Sequence, residues 1–154
     1  MSDEPMENSG HTEGMQGSVS ESLLTKLHQA GQQQADGNMA EAEQAYEVIL
    51  EQEPDNKFAN QLLGGMALQK GDFVRAHKFM SKALAVDPSN EELNSNLAIV
   101  LIKLQRLDEA IQHFEQALAV QPGYAAAHNA LGTALREQGN AEKALIHHIQ
   151  ALAA

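Results

Sequence analysis

The chain is 154 residues long and 43% hydrophobic, enough for one folded domain with its own core. It has no Cys and no Trp, which excludes disulfides, thiol nucleophiles and cysteine-ligated metal or iron–sulfur sites. The formal net charge is −11, and only the stretch 57–90 is net basic, with two acids against five bases; a phosphate backbone is repelled on balance, so nucleic acid is set aside as a partner.

Residues 1–22 carry five acids, no Lys or Arg and no apolar run, so they do not read as a secretory signal and a cytoplasmic location is expected. Their low hydrophobicity predicts a disordered acidic tail over 1–18. Ser18 with Glu21, Asn38 with Glu41 and Ser89 with Glu92 have capping-box spacing, predicting helix starts near 19, 39 and 90. Gly37-Asn38, Gly71-Asp72 and Gly139-Asn140 each place a helix-ending Gly before a cap-competent side chain, and so mark turns. Pro54, Pro88 and Pro122 close helices, because Pro cannot sit in a helix interior. The longest unbroken apolar run, Leu97 to Ile102, falls far short of the roughly 20 residues needed to cross a bilayer, so no membrane insertion is expected.

The three prolines recur every 34 residues, which divides the chain into blocks 23–56, 57–90, 91–124 and an incomplete 125–154. In that register Leu63, Leu97 and Leu131 align, as do Gly64, Ala98 and Gly132, then Ala42, Ala76, Ala110 and Ala144, then Tyr46, Met80, Phe114 and His148, and finally Leu50, Leu84, Leu118 and Leu152. Small residues at two columns allow two helix backbones to approach, and the bulky column fills the space between units. The layout resembles the tetratricopeptide-repeat family over 23–154. The resemblance implies an all-α fold, a right-handed α-solenoid of stacked helix–turn–helix units, with about three full repeats and one nearly complete, in an array spanning 19–154. Two departures are local. Gln29 and Gln33 stand where later blocks have Leu or Ala, which suits an edge helix. Gln105-Arg106 replaces the Gly of the third turn, making that turn less favourable.

Catalysis needs a nucleophile, a tuned acid or base, or a metal in a concave pocket, and no such set is legible, so no enzyme activity, catalytic residue or cofactor is expected. His113 and His147 share a column next to His148, but no Asp or Glu recurs in register to complete a metal site. Glu91-Glu92 and Asp108-Glu109 fall in first turns of helices, where the helix dipole favours acids. Gly64-Gly65 lies within a helix and lacks the Lys of a phosphate loop.

At 100° per residue, the arc of the first helices opposite the packing columns holds Phe58, Gln61, Gly65, Leu68 and Gln69, then Glu92, Ser95, Ile99, Ile102 and Lys103, then Ala126, Asn129, Thr133, Arg136 and Glu137. In the family it resembles, this arc lines a concave groove where peptides lie. The expected groove residues are Phe58, Gln61, Leu68, Gln69, Ser95, Ile99, Ile102, Lys103, Asn129, Thr133 and Arg136. Leu68 and Ile102 can equally pack against a neighbouring first helix. In the last block Ile146 replaces Gln44, Lys78 and Gln112, and Ile149 replaces Glu47, Ser81 and Glu115. Leu145, Ile146, Ile149 and Leu152 therefore predict a sticky C-terminal face, covered by self-association or by residues missing from this chain. The expected function is a scaffold or adaptor holding a peptide segment of a partner protein. The alternatives are the N-terminal region of a larger enzyme of glycosyltransferase or sulfotransferase type, or a self-assembling repeat protein. Asn96 matches an Asn of glycosyltransferase-type repeats, but Leu62 and Ala130 occupy its column elsewhere, so no asparagine ladder forms.

Overall fold

The computed structural model describes residues 13–154, with side chains from 21 onward. Among the described residues eight helices follow one another: α1 (Glu13–Ala35), α2 (Met39–Gln52), α3 (Lys57–Lys70), α4 (Phe73–Val86), α5 (Glu91–Lys103), α6 (Leu107–Val120), α7 (Ala125–Glu137) and α8 (Ala141–Ala153). No strand occurs among the described residues. The fold is all-α, an α-solenoid of helical hairpins. The starts of α3, α5 and α7, and those of α2, α4, α6 and α8, recur every 34 residues.

One chain geometry makes all four hairpin turns. Asn38 N–H reaches Gln33 O at 2.9 Å, Asp72 N–H reaches Ala67 O at 2.9 Å, Arg106 N–H reaches Leu101 O at 2.8 Å, and Asn140 N–H reaches Leu135 O at 2.8 Å. Each is the long bond of a Schellman turn, whose central residue must be left-handed. Gly37, Gly71 and Gly139 adopt φ 84, 76 and 90, and Gln105 is forced to φ 61. Asp72 and Asn140 then cap α4 and α8 through Arg75 N–H and Lys143 N–H. Arg106 gives α6 no side-chain cap.

Two sequence expectations shift. α1 begins at Glu13 rather than near 19, so residues 13–18, assigned to the tail, are helical. No proline lies between Pro5 and Pro54 to stop a helix running upstream of Ser18. The rest of the expected tail, 1–12, lies outside the described residues. The cap of α5 is Asn90, not Ser89: Asn90 Oδ1 accepts from Leu93 N–H at 2.8 Å. Asn56 caps α3 in the same way.

The chain forms two compact units divided within α2, between Ile49 and Leu50. In the first, Leu23, Ala30, Ala42, Tyr46 and Ile49 are buried, and Tyr46 donates its hydroxyl to Gln34 Oε1 at 3.1 Å. Burial raises the Tyr46 pKa above the ordinary phenol value. In the second unit α4 packs between α3 and α5, and α6 between α5 and α7, around a core that runs from Ala67 through Met80, Leu97 and Phe114 to Ala144. Within each hairpin the helices cross at a small residue. A Cβ on Gly64 would lie 2.7 Å from Met80 Cγ, and one on Gly132 would lie 3.0 Å from Ala144 O and 2.9 Å from the His148 ring.

A left-handed residue with a Cβ costs about 1–2 kcal/mol, while the extra freedom of an unfolded glycine opposes its use by about 0.5–1 kcal/mol. Gln105→Gly is therefore expected to raise unfolding free energy by up to about 1 kcal/mol. Equilibrium urea denaturation checks this, and an unchanged or lower midpoint contradicts it.

Candidate functional site: the free face of the first helices

α3 touches α5 and α5 touches α7 directly, whereas no comparable contact joins α4 to α6 or α6 to α8. The first helices of this unit are thus the more closely spaced row, and their free side is its inner side. Phe58, at the start of α3, is 57% exposed, with Lys57 Nζ 5.2 Å from its ring centroid. Lys57 is held by Asp87 at 3.3 Å. Beside Phe58, Gln61 is half-buried, and a Cβ on Gly65 would meet nothing within 4 Å, so the surface is open there.

Not all of the expected arc is surface. Leu68, Ile99 and Ile102 are half-buried and pack against the core. Ile99, expected to point away from the packing columns, therefore contributes to stability as well. Ser95 is only 3% exposed and drops out as a contact residue. α5 has a first helix on each side, so a position that is open on α7 is closed on α5. Gln69, Lys103 and Arg136 are exposed, and neither Lys103 nor Arg136 makes an ion pair among the described residues. Asn129 is exposed, but its Oδ1 already accepts from His148 Nδ1–H at 3.0 Å. Thr133 donates its hydroxyl to Asn129 O at 3.1 Å.

Below this face lies a buried polar column that sequence reasoning missed, although its 34-residue recurrence was there to find. Asn60, Asn94 and His128 are buried and hold the carbonyls of the block-closing prolines: Asn60 Nδ2 to Pro54 O at 3.0 Å, Asn94 Nδ2 to Pro88 O at 2.9 Å, and His128 Nε2–H to Pro122 O at 2.8 Å. The next column completes two of the three. Asn94 Oδ1 accepts from His113 Nδ1–H at 2.9 Å. His128 donates through Nε2, so its Nδ1 accepts from His147 Nδ1–H at 3.0 Å, with the two rings stacked at 5.2 Å. Phe79 holds that column one repeat before His113, and Asn60 Oδ1 is buried without a partner.

The histidines weighed as metal ligands thus point to separate places, His113 to Asn94, His147 to His128 and His148 to Asn129. No group of three or more His, Cys, Asp or Glu among the described residues is placed to hold a metal ion. Arg106 clasps Glu109 through two bonds of 2.7 Å and donates to His77 Nε2 at 3.0 Å.

At the C-terminal face Leu145, Ile146, Ile149 and Leu152 are all more than half exposed.

Three histidines have a pKa below that of a free imidazole. Burial is the main cause of the lowered pKa at His113, His147 and His77, reinforced at His77 by the Arg106 guanidinium and at His147 by His128. Unfolded imidazoles charge near about 6.5 while these folded ones resist, so their contribution to stability is complete above about pH 6.5 and is lost as pH falls through the lowered folded values. The urea midpoint is expected to drop between about pH 7.5 and about pH 5.5, and His113→Gln combined with His147→Gln should flatten the drop. A midpoint that rises over this interval contradicts the assignment.

Comparison with known families and structures gives one consistent picture. The family model described as tetratricopeptide repeat matches residues 90–154, and the model described as anaphase-promoting complex, cyclosome, subunit 3 matches 35–117. Among solved structures, MamA AMB-1 is 27% identical with a TM-score of 0.79, covering 85% of this chain and 72% of that one. MamA MSR-1 is 26% identical with a TM-score of 0.76, covering 85% and 75%. A MamA fragment from Desulfovibrio magneticus RS-1, at 15% identity, TM-score 0.78 and coverage of 85% and 74%, shares the fold. Comparison with curated proteins yields no significant match.

Proposed function

The chain belongs to the tetratricopeptide-repeat family, and from that premise we propose that a segment of a partner protein lies across the inner face of α3, α5 and α7. Its general role is that of a protein-interaction scaffold. The observation that carries the finer reading is Phe58, a large aromatic side chain 57% exposed on that face while the core columns beneath are closed. Isolated apolar exposure is ordinary. Here, however, the ring sits at the end of a row with Leu68, Ile99 and Ile102 half-covered and polar groups between them.

Each residue has a physical task in this reading. Phe58 and the outer edges of Leu68, Ile99 and Ile102 supply apolar contact. Gln61 and Gln69 offer amides to the partner's backbone, while Asn129 and Thr133 contribute the bonding capacity left by His148 and by the Asn129 carbonyl. Lys103 and Arg136 take a partner carboxylate, and the guanidinium can do so through two parallel bonds that fix orientation.

A few central anchors carry most of the energy of an interface, so Phe58→Ala is expected to weaken binding by about 1–2 kcal/mol and to leave the melting temperature in place. Leu97→Ala, at a site 2% exposed, is expected to cost about 2–5 kcal/mol of stability. Lys103→Glu should mainly slow association and change its salt dependence. The test captures a partner on the whole chain, identifies it by mass spectrometry and titrates it against these variants. Normal binding by Phe58→Ala together with Lys103→Glu would place the partner on another face.

A further inference from the structure

The exposed face of α8 differs in kind from the groove, and its chemistry points to a particular occupant. In α6, Ile111 and Leu118 are half-buried against the core, and in α4 Leu84 is 8% exposed. Their column mates in α8 are open, Leu145 at 61% and Leu152 at 89%. Between them α8 departs from the earlier second helices. Ile146 takes a column held by Lys78 and Gln112, and Ile149 one held by Ser81 and Glu115. Residues 145, 149 and 152 follow the four-then-three spacing of a helix–helix seam, in which side chains of one helix seat between those of another. The stripe carries no charge; Glu142 and Lys143 lie before it, in the first turn.

We propose that this face binds a second copy of the chain through a two-fold, antiparallel α8–α8 contact centred near Ile149, with Leu145 of each copy beside Leu152 of the other. A two-fold interface needs a patch complementary to itself, and an uncharged leucine–isoleucine stripe meets that need. The antiparallel sense also sets the two helix dipoles against each other favourably.

Head-to-tail stacking is the competing arrangement, and the first hairpin opposes it. The columns buried as Leu63, Leu97 and Leu131 and as Ala67, Leu101 and Leu135 are Gln29 and Gln33 in α1. Gln29 and Gln33 line a surface depression with Lys26, Glu41, Gln44, Ala45 and Val48. Laying the apolar stripe there would strip water from Lys26 and Glu41. It would also offer only hydrocarbon to Gln33 Oε1, which is buried without a partner. The contact uses no groove residue, so it stands or falls separately from the peptide-binding reading.

Sedimentation equilibrium of the whole chain from about 1 µM to about 500 µM is expected to show conversion from 16.7 kDa to twice that mass. Ile149→Glu is expected to shift that conversion to concentrations at least about tenfold higher, with its melting temperature kept. Should Ile149→Glu not fold, Leu152→Lys, at the most exposed position of the stripe, takes its place. The chain has no Cys, so an introduced thiol is unique: Ile149→Cys is expected to cross-link to itself under mild oxidation, and Gln33→Cys is not. A monomer throughout the range overturns the proposal, as does a dimer untouched by both charge variants. Cross-linking that requires mixing Gln33→Cys with Ile149→Cys overturns it in favour of head-to-tail stacking.

Discussion

Each second helix in the stack has two apolar sides, and only one is covered within its own hairpin. The other is closed by the first helix of the following hairpin: α4 by α5 and α6 by α7. Because no hairpin buries all of its own apolar surface, much of the stability is held in interfaces between neighbours. The small columns arise from this. With Gly64 and Gly132 pressed against Met80 and the His148–Ala144 turn, the two helices of a hairpin approach closely enough for the bulky column to reach the next unit. In α8 the side chains of these stacking columns, Leu145 and Leu152, stand in the open.

Apolar stacking alone does not fix where one hairpin hands over to the next. That register is set by polar groups, with Asn60, Asn94 and His128 grasping the carbonyls of Pro54, Pro88 and Pro122. A buried amide or imidazole is costly unless it is bonded, so each of these residues specifies the path of the chain around its proline. The arrangement is well satisfied at Asn94, where His113 takes up the remaining oxygen. It is less so at Asn60, whose oxygen is buried without a partner.

Much of this was legible in the sequence. The proline spacing and the Gly-Asn and Gly-Asp pairs locate the turns, because few residues tolerate a left-handed φ and few side chains can cap the next helix. The alignment of small and bulky columns then gives the pairing of helices. The start of α1 was not legible, since a capping box marks a place where a helix is able to begin and does not oblige it to begin there. Ser89 and Asn90 are adjacent and both able to cap, and Asn90 does so where the chain leaves Pro88. Ser95 was misplaced for a different reason: an arc drawn at 100° per residue treats all first helices alike, whereas α5 has neighbours on both sides. The polar column escaped notice because Asn60, Asn94 and His128 differ in residue type while sharing one task.

Outside the packing columns and polar ties, Phe58, Gln69, Lys103 and Arg136 stand exposed on the inner face, and the account rests on the distinction between residues that hold the stack and residues that meet a partner. Side-chain oxidative footprinting, performed on the free chain and on its complex with a captured partner, tests it most directly. Val74, Val86 and Val120 lie exposed on α4 and α6 and serve as internal references. The account predicts that Phe58 and Leu68 lose reactivity in the complex while the three valines keep theirs. Protection of the valines with Phe58 still reactive would contradict it.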